Sequence, residues 1–260
     1  MTRTSTHAPG GLAPAPGAAS SAGIIASQTA FEVKTALRNG EQLLLTMIIP
    51  VIVLVAMSHA PQSIIGGSPV ISIVTPGVFA LAVISTAFTG LAIATAFERR
   101  YGVLRFLGST PLGRVGLLSS KTLSVLVIEA MQIILLTIVA HGLGWQPTGS
   151  WLYATVVILA GTAAFASLGL LLAGTLRAEG TLAVANLIYL VLLGIGGVVI
   201  PASRFPQGIS HVISALPSSA LGDGLRLSLI HGVFPVADVA ILAMWFVIGS
   251  FAVSRWFKWS

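Results

Sequence analysis

Long apolar stretches are the feature of this sequence that most restricts its fold. Between Leu43 and Phe257, mostly hydrophobic runs are separated by short polar connections. A helix needs about 20 mainly apolar residues to cross the ~30 Å hydrocarbon layer, because each residue rises about 1.5 Å. Only 8% of the residues are charged, against about 25% in a soluble domain. A soluble fold could not bury this much apolar surface, so an integral membrane protein is predicted.

Six membrane-spanning helices are predicted from the length of these runs. Their expected ranges are about Leu43–Met57, Pro76–Phe97, Thr122–Ala140, Trp151–Leu176, Thr181–Ile200 and Val236–Phe257. Pro76 is placed at the start of the second span because proline suits a first helical turn. The predicted fold class is therefore an all-α, polytopic membrane protein.

Small residues recur at every fourth position in two of these spans. They are Thr86, Gly90 and Ala94 in the second span, and Gly169 and Ala173 in the fourth. Such stripes let the backbones of neighbouring helices approach closely. Both are interpreted as helix-packing faces.

Three further segments lie outside the spans. Residues 1–21 are rich in Ala, Pro, Gly, Ser and Thr, and they are interpreted as a disordered tail that precedes one transmembrane domain over residues 22–260. From Ile24 to Arg38 the apolar spacing predicts a helix lying in the membrane interface or, alternatively, a soluble extension of the first span. Residues Pro201–Pro235 are too polar to span but keep helical spacing, so short helices at the outer interface are expected.

The distribution of basic residues predicts the orientation. With the N-terminus in the cytoplasm, 11 of the 13 Lys and Arg residues fall on the cytoplasmic side, and only Arg204 and Arg226 lie outside. This asymmetry follows the positive-inside rule. Both termini are therefore expected in the cytoplasm, with the chain in the plasma membrane or the bacterial inner membrane. The basic residues are spread over several loops, so the net charge of +6 does not indicate a nucleic-acid partner.

No catalytic or nucleotide-binding motif is present in the sequence. It lacks a GxxxxGK[ST] phosphate loop, an HExxH motif and the context of a nucleophilic serine. It contains no cysteine, and its five histidines lack the spacing of metal ligands. We therefore expect no catalytic residues, no metal site and no ATP hydrolysis by this chain alone.

Polar residues inside the predicted spans are candidates for a substrate path. A charge at the bilayer centre costs at least about 2.5 kcal/mol, so each such residue needs a reason. Glu129 and Gln132 lie one turn apart in the third span. They line a path for a substrate or a proton, or they form hydrogen bonds that only fix helix packing, and both readings stay open. Asn186, one turn before Tyr189, is interpreted as packing first and as a path residue second.

The most polar segment of the apolar region reads ERRYGVLRFLGSTPLGRVGLLSSK. In order it contains a charged helix end, a glycine, two leucines, a Thr-Pro pair and two basic residues: Glu98-Arg99-Arg100, Gly102, Leu104 and Leu107, Thr110-Pro111, Arg114 and Lys121. This order resembles the cytoplasmic loop of type-2 ABC-transporter permeases, written E-R-E-x-G-T-L-x-x-L-x-x-T-P followed by a basic residue and Gly-Lys. Arg100, Val103 and Ser120 depart from that pattern.

Two other segments resemble the same family. FEVKTALRNGEQLLL with Pro50 is similar to its interfacial helix and first span. ALPSSALGDGLRLSLIHG, with Pro217, Asp223 and Arg226, is similar to the segment before its last span. The resemblance thus covers most of the chain.

The resemblance implies a six-helix permease subunit whose loop between the second and third spans is a coupling helix. That helix would dock on a separate ABC ATP-binding subunit, which would hold ATP and Mg²⁺, and a second permease, identical or related, would complete a dimer. The implied coupling residues are Glu98, Arg99, Arg100, Gly102, Arg105, Phe106, Leu107, Pro111 and Arg114. The residue types fit, because Val103, Phe106, Leu107 and Leu112 can form an apolar ridge surrounded by arginines. The alternative is an ordinary basic loop resting on lipid headgroups.

The resemblance favours export of a hydrophobic or amphipathic cargo. A drug or antibiotic is the first choice, and lipid or polysaccharide export by the same architecture is an alternative. A proton-coupled carrier using Glu129 and a non-transporting membrane scaffold are the other readings that the residues allow.

Overall fold

A computed structural model describes residues 20–61, 69–198, 200–201 and 206–258. Within these residues the chain is all-α, as predicted. The helices are α1 Ser21–Arg38, α2 Gly40–Ser58, α3 Val70–Arg100, α4 Val103–Gly108, α5 Gly113–Gly142, α6 Trp151–Thr175, α7 Ala178–Ile195, α8 Gln207–Ser214, α9 Pro217–Arg226 and α10 Val236–Trp256. Except for Ser20 and Ser21, the predicted tail lies outside the described residues.

Five helices in the described part of the chain are long and apolar enough to cross a membrane, namely α3, α5, α6, α7 and α10. The multi-pass membrane architecture is therefore confirmed. The first predicted span, Leu43–Met57, is the one not among these five; it corresponds to α2, whose apolar part is Thr46–Ser58. Thirteen helical residues reach only about 20 Å, which is short of the hydrocarbon thickness. The side chains of residues 41–45, where this span was expected to begin, lie outside the description.

The amphipathic N-terminal segment forms a helix separate from α2. Ser20 caps α1 by accepting a hydrogen bond from the Gly23 amide at 3.2 Å. Asn39 then leaves the helical conformation before α2 begins. No residue of α1 is fully buried, and Phe31 is exposed. The break at Asn39 favours the interfacial helix over a continuous extension of the first span.

α3 begins earlier than predicted and contains a π-helical turn over Ile84–Gly90. The expected start at Pro76 was wrong, because α3 begins at Val70 and buries Pro76 in its second turn. Gly169 of α6 packs against the π turn, where a Cβ at this position would lie 2.8 Å from the Phe88 carbonyl oxygen. The close-packing face predicted in the fourth span is therefore confirmed at Gly169.

The remaining boundaries follow local sequence signals. α6 and α10 match their predicted spans to within one residue. α5 begins at Gly113, well before the predicted Thr122, because nothing between them interrupts a helix. α7 ends at Ile195 instead of Ile200, since Gly197 adopts a left-handed φ of 72°.

The two short helices predicted after the fifth span are present, but only α8 keeps a half-exposed apolar face. The apolar side chains of α9 and the turn after it, Leu221, Leu225 and Leu229, are fully buried in the main core. The backbone there also bonds to the α5–α6 connection, where the Ser150 amide donates to the Ser228 carbonyl at 2.8 Å. α9 is therefore surrounded by neighbouring helices and does not lie on the surface of the bundle.

Candidate coupling segment and substrate path

The predicted coupling segment folds into a short helix between two long ones. α3 ends at Arg100, and Gly102 reverses the chain with a φ of 75°, a conformation that glycine adopts without strain. α4 follows over Val103–Gly108, and a second left-handed glycine, Gly113, opens α5. The two glycines thus set α4 at an angle to the helices on either side.

α4 presents part of the predicted ridge to solvent and buries the rest. Leu104 is only 2% exposed and anchors α4, whereas Phe106 is 70% exposed. Arg105 and Pro111 are also exposed. Leu107 is half-buried and lines a groove against α1 together with Leu112 and Phe31. The ridge is therefore divided, because α1 covers one side of it. The Arg114 side chain lies outside the described residues.

The arginines at the end of α3 contact the connection between α6 and α7. Arg99 donates to the carbonyl oxygen of Leu176, and Arg100 forms an ion pair with Glu179. The Arg100 pair is largely exposed, so its contribution to stability is roughly 0–1 kcal/mol. Both arginines thus have partners in the α6–α7 connection of the same chain, next to α4.

A buried ion cluster joins the two ends of the coupling segment to α1. The Lys121 ammonium is 2% exposed and donates to Glu98 Oε1 at 2.7 Å and to Glu32 at 3.1 Å. Gln28 also donates to Glu32, at 3.1 Å. Glu98 therefore faces Lys121 inside the protein. The sequence analysis did not predict this cluster. The sequence features that could have indicated it are an acidic residue on the polar face of α1 and a Glu and a Lys at the two ends of one loop.

Two contiguous cavities lie between this cluster and the spans. The smaller, about 140 Å³, is lined by Glu32, Glu98 and Lys121. The larger, about 520 Å³, lies between α2, the π turn of α3, and α7. Its lining residues are Asn39, Thr46, Ile49, Ser85, Thr89, Gly90, Ile93, Leu182, Asn186, Tyr189 and Leu190. The hydroxyl of Thr89 is buried and has no hydrogen-bond partner among the described residues.

The small-residue stripe of the second span was predicted to be a helix-packing face, but two of its residues line the cavities. Gly90 and Ala94 line the smaller cavity, and Gly90 also lines the larger one. Their small side chains therefore leave open volume beside α3. Thr86 is buried and bonds to Gln132 on α5.

The three predicted path residues do not come together. Asn186 lines the larger cavity. Gln132 accepts from the Thr86 hydroxyl at 2.7 Å and donates to the Thr46 carbonyl at 2.8 Å, so its amide links α5 to α3 and α2. Glu129 is buried against Thr162 of α6, with 2.6 Å between the hydroxyl and Oε2. Neither Glu129 nor Gln132 is among the described residues that line the two cavities.

The sequence model of the ABC-2 type transporter family matches residues 25–230. The chain belongs to the ABC-2 type transporter family. The match runs from within α1 to the turn after α9, so it includes α4, the ion cluster and both cavities. A search of curated proteins found no match.

Membership of the ABC-2 family defines the general role of the chain. It is a permease, a membrane transport component that is not itself catalytic. An ABC-2 permease works with an ABC ATP-binding subunit at the membrane, so such a partner is implied here.

Proposed function

We propose that the chain is the membrane-spanning subunit of an ATP-driven exporter and that α4 docks on the separate ATP-binding subunit. The observation that carries this proposal is the shape of α4, in which buried Leu104 fixes the helix while Arg105 and Phe106 face outward. Arginine and aromatic side chains are enriched at the centres of protein interfaces. ATP and Mg²⁺ would be bound by the partner subunit.

Contacts between helix ends support a cytoplasmic position for α4. Arg99 bonds to the α6–α7 connection, which carries Arg177, and the Lys258 amide bonds to the Gly174 carbonyl at the end of α6. The basic ends of α3, α6 and α10 therefore gather at the end of the bundle that carries α4. Buried Arg226 belongs to α9, which packs against the other end. This arrangement agrees with the positive-inside rule for a cytoplasmic α4.

The larger cavity is the part of the chain best suited to hold a cargo. Its walls combine aliphatic residues such as Ile49 and Leu190 with neutral hydrogen-bonding groups such as Thr89 and Asn186. A buried hydroxyl without a hydrogen-bond partner costs free energy. A cargo molecule that forms a hydrogen bond with the Thr89 hydroxyl would remove that cost and so be bound more tightly. A hydrophobic or amphipathic cargo suits these walls. We take a drug or antibiotic as the first choice, with lipid or polysaccharide as the alternative.

The cavity is open on one side, where exposed Leu182 and Leu190 of α7 border it. An exposed apolar border in a membrane protein is covered by lipid or by another subunit. We propose that a second permease, identical or related, completes the path there, as the family resemblance implies.

The ion cluster would transmit a movement of the docked helix α4 to the helices that line the cavity. Lys121 and Glu98 close the segment that carries α4, and Glu32 joins α1 to them. A movement of α4 caused by nucleotide binding would therefore reach α1, α3 and α5 together. The cavity lies on α3, so the energy of ATP binding would shift the population toward an outward-open state.

Copurification tests the docking site. The chain is expressed with an ATP-binding subunit encoded beside it, and the double variant Arg105→Glu/Phe106→Ala is compared with wild type. We expect the double variant to lose most of the bound ATPase, while its level in the membrane stays unchanged. Phe251→Ala, which removes an exposed phenylalanine from α10, serves as the matched control. Equal recovery of the ATPase with all three proteins would contradict the proposal.

Efflux measurements test the path. In membrane vesicles that contain the intact complex, Asn186→Leu and Thr89→Val should lower the ATP-dependent movement of amphipathic dyes by several-fold. The movement measured is from the cytoplasmic face of the membrane to the opposite face. The amount of copurified ATPase should not change, which separates a path defect from an assembly defect. Movement of dye that needs no nucleotide would contradict an ABC mechanism.

A further inference from the structure

The side chain of Arg226 binds backbone carbonyls of the residues that follow a different helix, α7. It lies at the last residue of α9 and is 7% exposed. Its Nη1 donates to the Gly197 carbonyl at 3.3 Å, and its Nη2 donates to the carbonyl of Val198. Its Nε donates to the Ile73 carbonyl in the first turn of α3, also at 3.3 Å. One guanidinium thus joins α9, the residues after α7 and the start of α3.

Neighbouring groups hold this arginine in place. Asp223, one turn earlier in α9, accepts from Arg226 Nη1 at 2.7 Å and from the Ser219 hydroxyl at 3.0 Å. Burial lowers the pKa of the Arg226 guanidinium, and the Asp223 carboxylate opposes that shift by stabilising the charged form. The Ser218 hydroxyl donates to the Gly196 carbonyl at 2.8 Å. We call Ser218, Asp223 and Arg226 with the carbonyls that they reach the far-end clamp.

The clamp binds two kinds of carbonyl near the end of α7. The Gly196 carbonyl, which Ser218 binds, belongs to the C-cap, and the last carbonyls of a helix have no partner within the helix. The Gly197 and Val198 carbonyls follow the helix, and Arg226 binds both. Val198 is completely buried, so water cannot replace the arginine readily. The contact is also close, because a Cβ on Gly197 would lie 2.7 Å from the Ser219 hydroxyl.

The clamped helices are the two that line much of the larger cavity. α3 contributes Ser85 and Thr89, and α7 contributes Asn186 and Tyr189. Ser85 and Tyr189 also lie next to each other in this wall, which brings the two helices together at the level of the cavity. The clamp lies beyond this contact, at the end of the bundle opposite α4.

We propose that Arg226 is a positioning residue of the transport cycle, which holds the far ends of α3 and α7 together with α9 so that the cavity stays closed on that side until nucleotide acts. This inference rests on the proposed function, which makes the far end the extracellular one. Loss of the clamp would let the far ends of α3 and α7 separate without ATP. The cavity would then become accessible from outside in the resting state.

The absence of cysteine from the sequence makes accessibility measurable. A single cysteine is introduced by Thr89→Cys in the cavity wall, where the native hydroxyl is buried, and intact cells are labelled with a membrane-impermeant maleimide without transport substrate. Adding Arg226→Met should raise the labelling rate from outside by at least about tenfold. Arg226→Lys keeps the charge but loses the planar fork, so an intermediate rate is expected. Arg255→Met, which removes an exposed arginine from α10, should leave the rate unchanged.

Milder variants keep the test valid if Arg226→Met does not accumulate. Ser218→Ala and Asp223→Asn remove single bonds of the far-end clamp and should each raise labelling a few-fold at normal protein levels. Unchanged labelling from both sides in variants that accumulate would overturn the clamp. Labelling of inverted membrane vesicles with the same reagent reports the cytoplasmic side, and an increase only there would overturn the proposed topology together with the placement of the clamp outside. The labelling does not depend on an ATPase, so a failed copurification and a failed clamp are distinguishable.

Discussion

Replacing Lys121 with methionine removes the buried ammonium that joins α1, α3 and α5. Methionine keeps an unbranched side chain of similar length but cannot donate a hydrogen bond. In the native protein the ammonium lies 2.7 Å from Glu98 Oε1 and 3.1 and 3.2 Å from the two oxygens of Glu32. Lys121→Met therefore leaves two carboxylates without their shared counter-charge, in a part of the protein with little water.

The expected cost follows from the burial of the three groups. Breaking a buried ion pair by removing one partner costs about 3–5 kcal/mol. The side chains of Glu32 and Glu98 keep 17% and 25% exposure, so water compensates part of this loss. We therefore expect the low end, about 3 kcal/mol of unfolding free energy. For a chain of this size, that corresponds to a decrease in Tm of roughly 6–12 °C.

Thermal unfolding of the purified protein in detergent measures the effect. Lys121→Arg should lose much less than Lys121→Met because it keeps the positive charge. The double variant Lys121→Met/Glu98→Gln should recover part of the loss, since only one carboxylate then lacks a partner. The coupling between the two positions in a double-mutant cycle should be roughly 1 kcal/mol or more.

Two results would refute this reasoning. One is a Lys121→Met protein whose Tm lies within about 2 °C of wild type, which would mean that water or another cation neutralises the carboxylates at less than ~1 kcal/mol. The other is strict additivity in the double-mutant cycle, which would mean that Lys121 and Glu98 do not interact.

Three further predictions concern the spans. Gln132→Leu should lower the unfolding free energy by about 1–2 kcal/mol in thermal unfolding, because the Thr86 hydroxyl and a carbonyl of α2 lose their partner; an unchanged Tm would show that these bonds add nothing. Gly169→Ala should cost about 1–3 kcal/mol because its Cβ would meet the α3 backbone, whereas Gly194→Ala, with no described atom within 4 Å of the added carbon, should be tolerated. Glu129→Gln should preserve ATP-driven efflux, since Glu129 is not among the described cavity-lining residues; lost efflux at a normal protein level would favour a proton-coupled carrier.

Local sequence signals correctly predicted those helices whose ends are determined by residues close to them in the sequence. Ser150 caps α6, and the polar connections beside α6 and α10 interrupt the apolar runs, so both spans were placed to within one residue. The short helix α4 was predicted from the family resemblance, and the structure shows that Gly102 makes the turn before it with a left-handed φ. The start of α3 was missed, since Pro76 fits a first turn by propensity while packing in the core tolerates it further along the helix.

The position of α9 and the residues that line the candidate path could not be predicted from local sequence signals. Leu221, Leu225 and Leu229 have the same spacing whether a helix lies on a membrane surface or inside a bundle. Gln132 and Asn186 are both polar residues in apolar helices, yet Gln132 bridges three helices and Asn186 faces a cavity. The difference depends on which helices are neighbours, and periodicity carries no information about that.

The sequence by itself determined that this chain is a helical membrane protein, because the length of a hydrophobic run is a local property, and its motif, through a family resemblance, predicted the short helix between the charged loop ends. Only the tertiary structure decided the partners of the few charged side chains. Lys121 meets Glu32 across 89 positions of sequence, and Arg226 meets Ile73 across 153. In an apolar interior each buried charge must find a partner, and packing decides which partner lies within reach.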